Sequence, residues 1–163
     1  MHNAGLFLFL SMKKLALLLL LAICYMPVFA QQNETDAVKK TITTMFDAMR
    51  KGDSTLLNSA FHKDMVLQGV AKKKDGNSYL YSEKASEFLK AVGTPHKEVW
   101  DERITWGNIK IDGELASVWT PYKFYLDGNF SHCGVNFFQL LKTVGGWKII
   151  YIIDTRRKDN CPE

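Results

Sequence analysis

Apolar residues are densest near the C-terminus, where FSHCGVNFFQLLKTVGGWKIIYIIDTRR (Phe130 to Arg157) sets two β-branched and aromatic runs on either side of Gly145-Gly146. A glycine-bearing loop between two such runs predicts a β-hairpin. Pairing Lys142 with Trp147 puts His132, Asn136, Phe138, Leu140, Trp147, Ile149, Tyr151, Ile153 and Thr155 on one face. Cys133, Val135, Phe137, Gln139, Leu141, Ile150, Ile152 and Asp154 take the other. Both faces are apolar, whereas a sheet meeting water on one side alternates apolar with polar. Both should therefore be covered: helices suit one face, and a second copy of the chain suits the other, so a homodimer is expected.

Upstream the period changes. Between Asn33 and Lys51, Val38, Ile42, Met45, Phe46 and Met49 follow helical spacing and form one apolar stripe. Gly52 ends that helix, and Asp53 or Ser54 caps a short second one whose Leu56, Leu57, Ala60 and Phe61 face inward. Met65 to Val70 and Tyr79 to Tyr81 flank Lys74-Asp75-Gly76-Asn77 and predict a small hairpin. Ser82-Glu83-Lys84-Ala85 then opens a third helix, with Phe88, Leu89 and Val92 apolar and Gly93 as its C-terminal cap. The remainder runs Val99 to Ile111, Asp112-Gly113, Leu115 to Leu126, Asp127-Gly128-Asn129 and the hairpin. Four strands joined by tight turns predict an antiparallel meander, and three helices ahead of it predict an α+β fold.

The first thirty residues stand apart from this fold. Met12-Lys13-Lys14 is a basic start, Leu15 to Ile23 an apolar run, and Val28-Phe29-Ala30 ends on a small residue, as in a secretory signal peptide. The run is too short for a membrane span. The functional start is expected at Met12, and Ile23 before Cys24 argues against a lipoprotein signal. The rest of the chain, residues 31–163, is long enough for one domain and too short for two. Without Lys13 and Lys14, Lys+Arg falls from 21 to 19 against 17 Asp+Glu, so the exported protein, periplasmic or secreted, is nearly neutral. That excludes a nucleic-acid footprint and leaves no membrane association after cleavage; Lys72-Lys73-Lys74 beside Asp75-Gly76 reads as a solvated hairpin tip. The two remaining cysteines, Cys133 and Cys161, are an even number in a compartment that permits a bridge. If Cys133 lies opposite Arg156, the tail from Lys158 can fold back to join them; two free thiols are the alternative.

Helix, helix, small hairpin, helix and a meander ending in GGWKIIYIIDTR resembles the nuclear transport factor 2-like superfamily, over Asn33 to Arg157. His132-Cys133-Gly134, Phe138-Gln139-Leu140-Leu141-Lys142 and Gly145-Gly146-Trp147-Lys148-Ile149 look more narrowly like its exported bacterial SnoaL-like and lumazine-binding branch. The resemblance implies a cone: a strongly bent antiparallel sheet wrapped round a helix, with a pocket open at one end. It does not fix a substrate, because the same fold hosts isomerases, dehydratases, cyclases and binding or assembly domains.

Catalytic members of that superfamily work with a pocket carboxylate or a His/Asp pair, so the candidates are groups able to converge. His132 shares a predicted face with Asn136, Tyr151 and Thr155, an imidazole near an amide, a phenol and a hydroxyl that suit proton transfer or ligand orientation. Its plainer reading is a strand-end histidine bonded to backbone or solvent. Asp154 follows the apolar Ile152-Ile153 but precedes Arg156, and a salt-bridged structural carboxylate is the expectation; on the predicted register it faces away from His132, which precludes a dyad. Glu102, between Trp100 and Trp106, is a candidate pocket acid, though such charges more often protect an edge strand; Asp101 and Arg103 can pair beside it. Trp119, Tyr122, Phe124 and Tyr125 supply rings for a pocket wall. Which of them point inward depends on the Asp127-Gly128-Asn129 loop. Three residues there set Tyr122 opposite Gly134, the favoured arrangement, while a two-residue Gly128-Asn129 loop flips the parity, and Pro121 adds a kink. The expected ligand-contacting set is Trp106, Tyr122, His132, Asn136, Phe138 and Tyr151, for a small apolar or aromatic molecule. His62, His96 and His132 lack metal-site spacing, no phosphate loop or nucleophile motif occurs, and no cofactor is implied.

Overall fold

A computed structural model describes residues 32–162; the expected leader lies outside them. Helix α1 (residues 32–51) opens with Gln32 donating to Asp36. From Ala37 onward it presents Val38, Ile42, Met45, Phe46, Ala48 and Met49, all buried, as the stripe its spacing predicts. Asp53 caps α2 (Ser54–Ala60) by accepting from the Leu56 amide at 2.8 Å. Strands β1 (Phe61–Lys72) and β2 (Ser78–Glu83) form the small hairpin, longer than predicted at both ends, and α3 (Ala85–Gly93) comes next. The helices are thus not all N-terminal to the sheet, since β1 and β2 stand between α2 and α3.

The predicted strand from Val99 to Ile111 is two, β3 (Trp100–Ile104) and β4 (Ile109–Asp112), both paired with β5 (Leu115–Leu126). Between them Thr105 and Gly107 still donate to the Pro121 and Trp119 carbonyls, so the edge detours without detaching. β6 (Asn129–Thr143) and β7 (Gly146–Arg157) complete the meander. The sheet order is β2-β1-β7-β6-β5-β3, and β1 pairs with β7 in parallel. The sheet is therefore mixed rather than wholly antiparallel. No local turn announces a pairing between the first strand and the last; it forms because β1 brings a second half-apolar ribbon to the free edge of β7.

Two bulges decide which side chains face the helices. In β7, Gln139 pairs with Tyr151 and Leu140 with Ile149, leaving Ile150 as the extra residue. Trp147–Lys142 pairing is as predicted, but beyond the bulge every β7 side chain changes face. Asp154 therefore lies opposite Asn136, on the inner face, while Tyr151 and Ile153 turn outward. The predicted separation of Asp154 from His132 is thereby overturned. In β6, Leu126 pairs with Asn129 across an Asp127-Gly128 turn in which both residues have positive φ, and Ser131 is then skipped. The shorter turn and the bulge cancel, so Tyr122 meets Gly134 as the three-residue loop would have had it.

The inner face packs Val118, Phe138, Leu140, Trp147, Ile149 and Ile152 against α1, with Phe46 edge-on to Phe138 at 6.1 Å between centroids. At the far end of β6, Cys133 and Cys161 are bonded, with Cα atoms 5.6 Å apart, and Arg157 holds the returning tail by donating to the Asn160 carbonyl. This link closes a loop of 28 residues, for which chain entropy gives about 3.6 kcal/mol of stabilisation. Substituting both cysteines by serine should lower the unfolding free energy by that order in urea titrations, and the native protein should alkylate only after reduction.

Candidate functional site

The polar residues that the bulge turns inward sit at one end of a cavity of about 410 Å³ on the helix side of the sheet. Met45 and Met49 of α1 and Phe88 of α3 form its roof. Its floor is the sheet: Trp100 and Glu102 of β3, Tyr122 and Phe124 of β5, His132 and Asn136 of β6, and Ile152, Asp154 and Arg156 of β7. Glu83 closes the β2 side. Trp100 is backed by His96, whose ring stacks on it at 4.6 Å. Phe124 lies opposite both Glu102 and His132, so the ring separates an acid from an imidazole.

Two glycines let phenols cross the sheet. A Cβ on Gly69 would stand 2.2 Å from the Tyr81 ring and 2.5 Å from Asp154 Oδ1, and one on Gly134 2.9 Å from the Tyr122 ring. With hydrogen in those places, Tyr81 lies over Gly69 and donates to Asp154 at 3.4 Å, and Tyr122 lies over Gly134 and donates to the Thr155 carbonyl at 3.0 Å. Asp154 also accepts from Arg156 Nε at 2.7 Å, the pairing expected of a structural carboxylate.

Glu102 is different. Asn136 donates to its Oε1 at 2.6 Å, and among the described residues no cation pairs with it. Burial raises its carboxyl, the Asn136 hydrogen bond opposes that, the negative charge of Asp154 adds to it and the more weakly acting positive charge of Arg156 lowers it; the outcome is a pKa of about 7. Since Oε1 accepts from the amide, the neutral acid carries its proton on Oε2. Such a group takes and gives protons near neutrality. His132 is held below the usual imidazole range, first by burial and then by the positive charge of Arg156, so it is neutral at pH 7. Its Nδ1 is 3.1 Å from Ser131 Oγ. Tyr122 is raised by burial and by the Glu102 and Asp154 charges, which keeps it a hydrogen-bond donor.

Of the residues expected at the ligand, Tyr122, His132 and Asn136 line the cavity. Phe138 is fully buried beneath it in the core. Tyr151, turned outward by the bulge, donates to Gln68 Oε1 at 2.7 Å. Trp106 lies past the end of β3, with Lys39 Nζ 5.5 Å from its ring. Asp101 points away from the cavity and is bonded by Arg103 and Arg50; burial would raise it, and the two guanidiniums outweigh burial and hold it low. Tyr81, Glu83, Phe88 and Arg156 were not anticipated at the site. Tyr81 reaches Asp154 from 73 residues away, and only the parallel β1–β7 pairing brings them together. Among the described residues no group of three His, Cys, Asp or Glu side chains gathers to hold a metal ion, and no helix is long and apolar enough to cross a membrane.

The profile of a family described as "Putative lumazine-binding" matches residues 33–152. An NTF2-like protein of unknown function from Shewanella baltica is 20% identical, with 78% of this chain and 96% of that one covered and a TM-score of 0.60. An NTF2-like protein with a cystatin-like fold from Novosphingobium aromaticivorans is 11% identical, with 79% and 85% covered and a TM-score of 0.62. At these identities the likeness is one of fold, an NTF2-like α+β fold. No curated protein matches the chain.

A carboxyl lifted from 4.5 to about 7 binds its proton more tightly in the folded state. Its contribution to stability is therefore full below pH 4.5 and is lost as pH rises through about 7. Urea titrations at pH 4.5, 6 and 8 should show a fall in stability that Glu102→Gln removes; equal pH profiles for the two proteins would mean that Glu102 titrates normally.

Proposed function

The chain belongs to the family described as "Putative lumazine-binding", and on that premise we propose that it is an exported pocket domain that binds a small, largely apolar or aromatic molecule. The observation that carries this reading is the cavity itself. Its volume of about 410 Å³ falls within the usual range for small-molecule sites, and its pairing of aromatic walls with a few convergent polar groups is the usual construction. Phe88, Trp100 and Phe124 supply flat apolar area, while Glu102, Asn136 and His132 give one end hydrogen-bonding direction. The family description makes lumazine, a flat heteroaromatic, the first ligand to try.

A second reading has its own support. A carboxyl with a pKa of about 7 and a neutral amide as hydrogen-bond partner is suited to proton transfer in an isomerase or dehydratase, with Glu102 rather than His132 as the acid and base. The proposal also includes a second copy across the outer sheet face, where Val66 and Trp119 are 44% and 49% exposed; a monomeric mass at micromolar concentration would remove that part.

Native mass spectrometry of protein from its own exported fraction should find a retained small molecule. Trp100→Ala and Phe124→Ala should each weaken lumazine binding, followed by indole fluorescence, by about tenfold, the effect of about 1.4 kcal/mol of lost ring contact. Wild-type protein with neither a retained molecule nor lumazine affinity would count against a binding domain. If the chain is an enzyme, Glu102→Gln should reduce turnover of the identified ligand, measured at saturating concentration, by roughly a hundredfold or more.

A further inference from the structure

Resting on the reading of the cavity as a ligand site, we infer that its ligand is an organic cation, a protonated amine carried on an apolar or aromatic body, neutral lumazine being a probe of the aromatic walls alone. The argument begins with the charges that face the cavity. Three carboxyls, Glu83, Glu102 and Asp154, meet one guanidinium, Arg156. That guanidinium is already engaged, its Nε on Asp154 Oδ2 at 2.7 Å. His132 offers no second positive charge, because burial and Arg156 keep it neutral. The groups acting on Glu102 are the neutral Asn136, the phenol of Tyr122 and the charges of Asp154 and Arg156; α1 and α3 present methionine and phenylalanine to the cavity. An anionic ligand would meet three carboxyls against a single guanidinium, the Nε of which is already on Asp154.

An ionised acid withdrawn from water needs a countercharge. Asp154 has one within the protein and Glu102 does not, although Glu102 opens onto the cavity. Asn136 occupies its Oε1 and leaves Oε2 without a protein partner among the described residues, on a side chain that lines the cavity. A protonated amine at that oxygen would complete the pair. The rings of Trp100, Phe124 and Tyr122 beside it add the electron-rich surface that attracts ammonium groups. The cation thus has an ion-pair partner and an aromatic surround, and its body has the apolar remainder of the cavity.

The test uses three indoles of one size and differing charge: tryptamine (cation), tryptophol (neutral) and indole-3-acetate (anion), titrated into the folded protein by calorimetry at pH 6, 7 and 8. Tryptamine should bind at least tenfold tighter than tryptophol at pH 8, and indole-3-acetate weakest. An alkylammonium keeps its charge over this range as a lysine does, while the ionised fraction of Glu102, with its pKa of about 7, rises about tenfold from pH 6 to pH 8. Tryptamine affinity should rise with it, and tryptophol affinity should not. Glu102→Gln should bring tryptamine to within threefold of tryptophol and remove the pH dependence, with an unchanged circular dichroism spectrum and retained tryptophol binding showing that the cavity is intact. Equal affinity for tryptamine and tryptophol in the wild type, or tighter binding of indole-3-acetate, overturns the cation and leaves the binding site standing. Binding of none of the three at millimolar concentration overturns the site and the inference with it.

Discussion

The extra residue at Ile150 is the constraint on which the rest depends. A strand alternates its side chains strictly, so one uniform β7 cannot send both Trp147 and Ile149 toward α1 and Asp154 and Arg156 toward the cavity. One inserted residue resolves the conflict. Below it the odd-numbered residues face inward and complete the apolar core; above it the even-numbered ones do and build the polar end. The disturbance continues into the neighbouring strand, where β1 spans Phe61 to Val66 while β7 advances only from Ile149 to Tyr151. An irregularity matched across two strands is an architectural feature of the sheet rather than a local defect.

On the polar side of that bulge, β7 is held between two phenols in mirrored fashion. Gly69 on one neighbouring strand lies opposite Asp154, and Gly134 on the other lies opposite Arg156. Each glycine is covered by a tyrosine from the next strand out, and each hydroxyl reaches β7, one at the Asp154 carboxylate and one at the Thr155 carbonyl. The glycines would otherwise weaken the strands that carry them, through lost packing and greater freedom when unfolded. Ring coverage offsets that cost and fixes the Asp154–Arg156 pair in place.

How much of the fold was legible in the sequence depends on the range of the forces involved. Helical stripes and Asp-Gly turns are local, so Val38 to Met49 and the β5–β6 connection could be read from spacing, as could the Lys142–Trp147 register. The family resemblance rested on the same local signals. The bulge was invisible because Ile149, Ile150, Tyr151, Ile152 and Ile153 are apolar on either parity, and nothing marks which of them is extra. That single ambiguity sent Tyr151 to the wrong face and Asp154 away from its true neighbours. Glu102 was legible as a residue and not as a role: a charged position on a first meander strand suits edge protection as well as a pocket, and only Asn136, reaching over β5, distinguishes them. Tyr81 and Glu83 carried no signal at all, since they enter the site through a parallel pairing that no turn encodes.

The two inward carboxyls show what the site is built to leave undone. Asp154 receives a guanidinium and a phenol, is buried, and is thereby a structural group. Glu102 receives one amide, which orients it without neutralising it. An arginine or lysine at position 136 would give Glu102 a countercharge and would relieve the cost of an ionised acid there. It would also push a long side chain into the space between Phe124, His132 and Trp100 and close the cavity. Asparagine is short enough to keep that space open and polar enough to hold the carboxyl still. The carboxyl without a countercharge lines the cavity, and an acid held in that state is stabilised by a cation or hydrogen-bond donor that enters beside it.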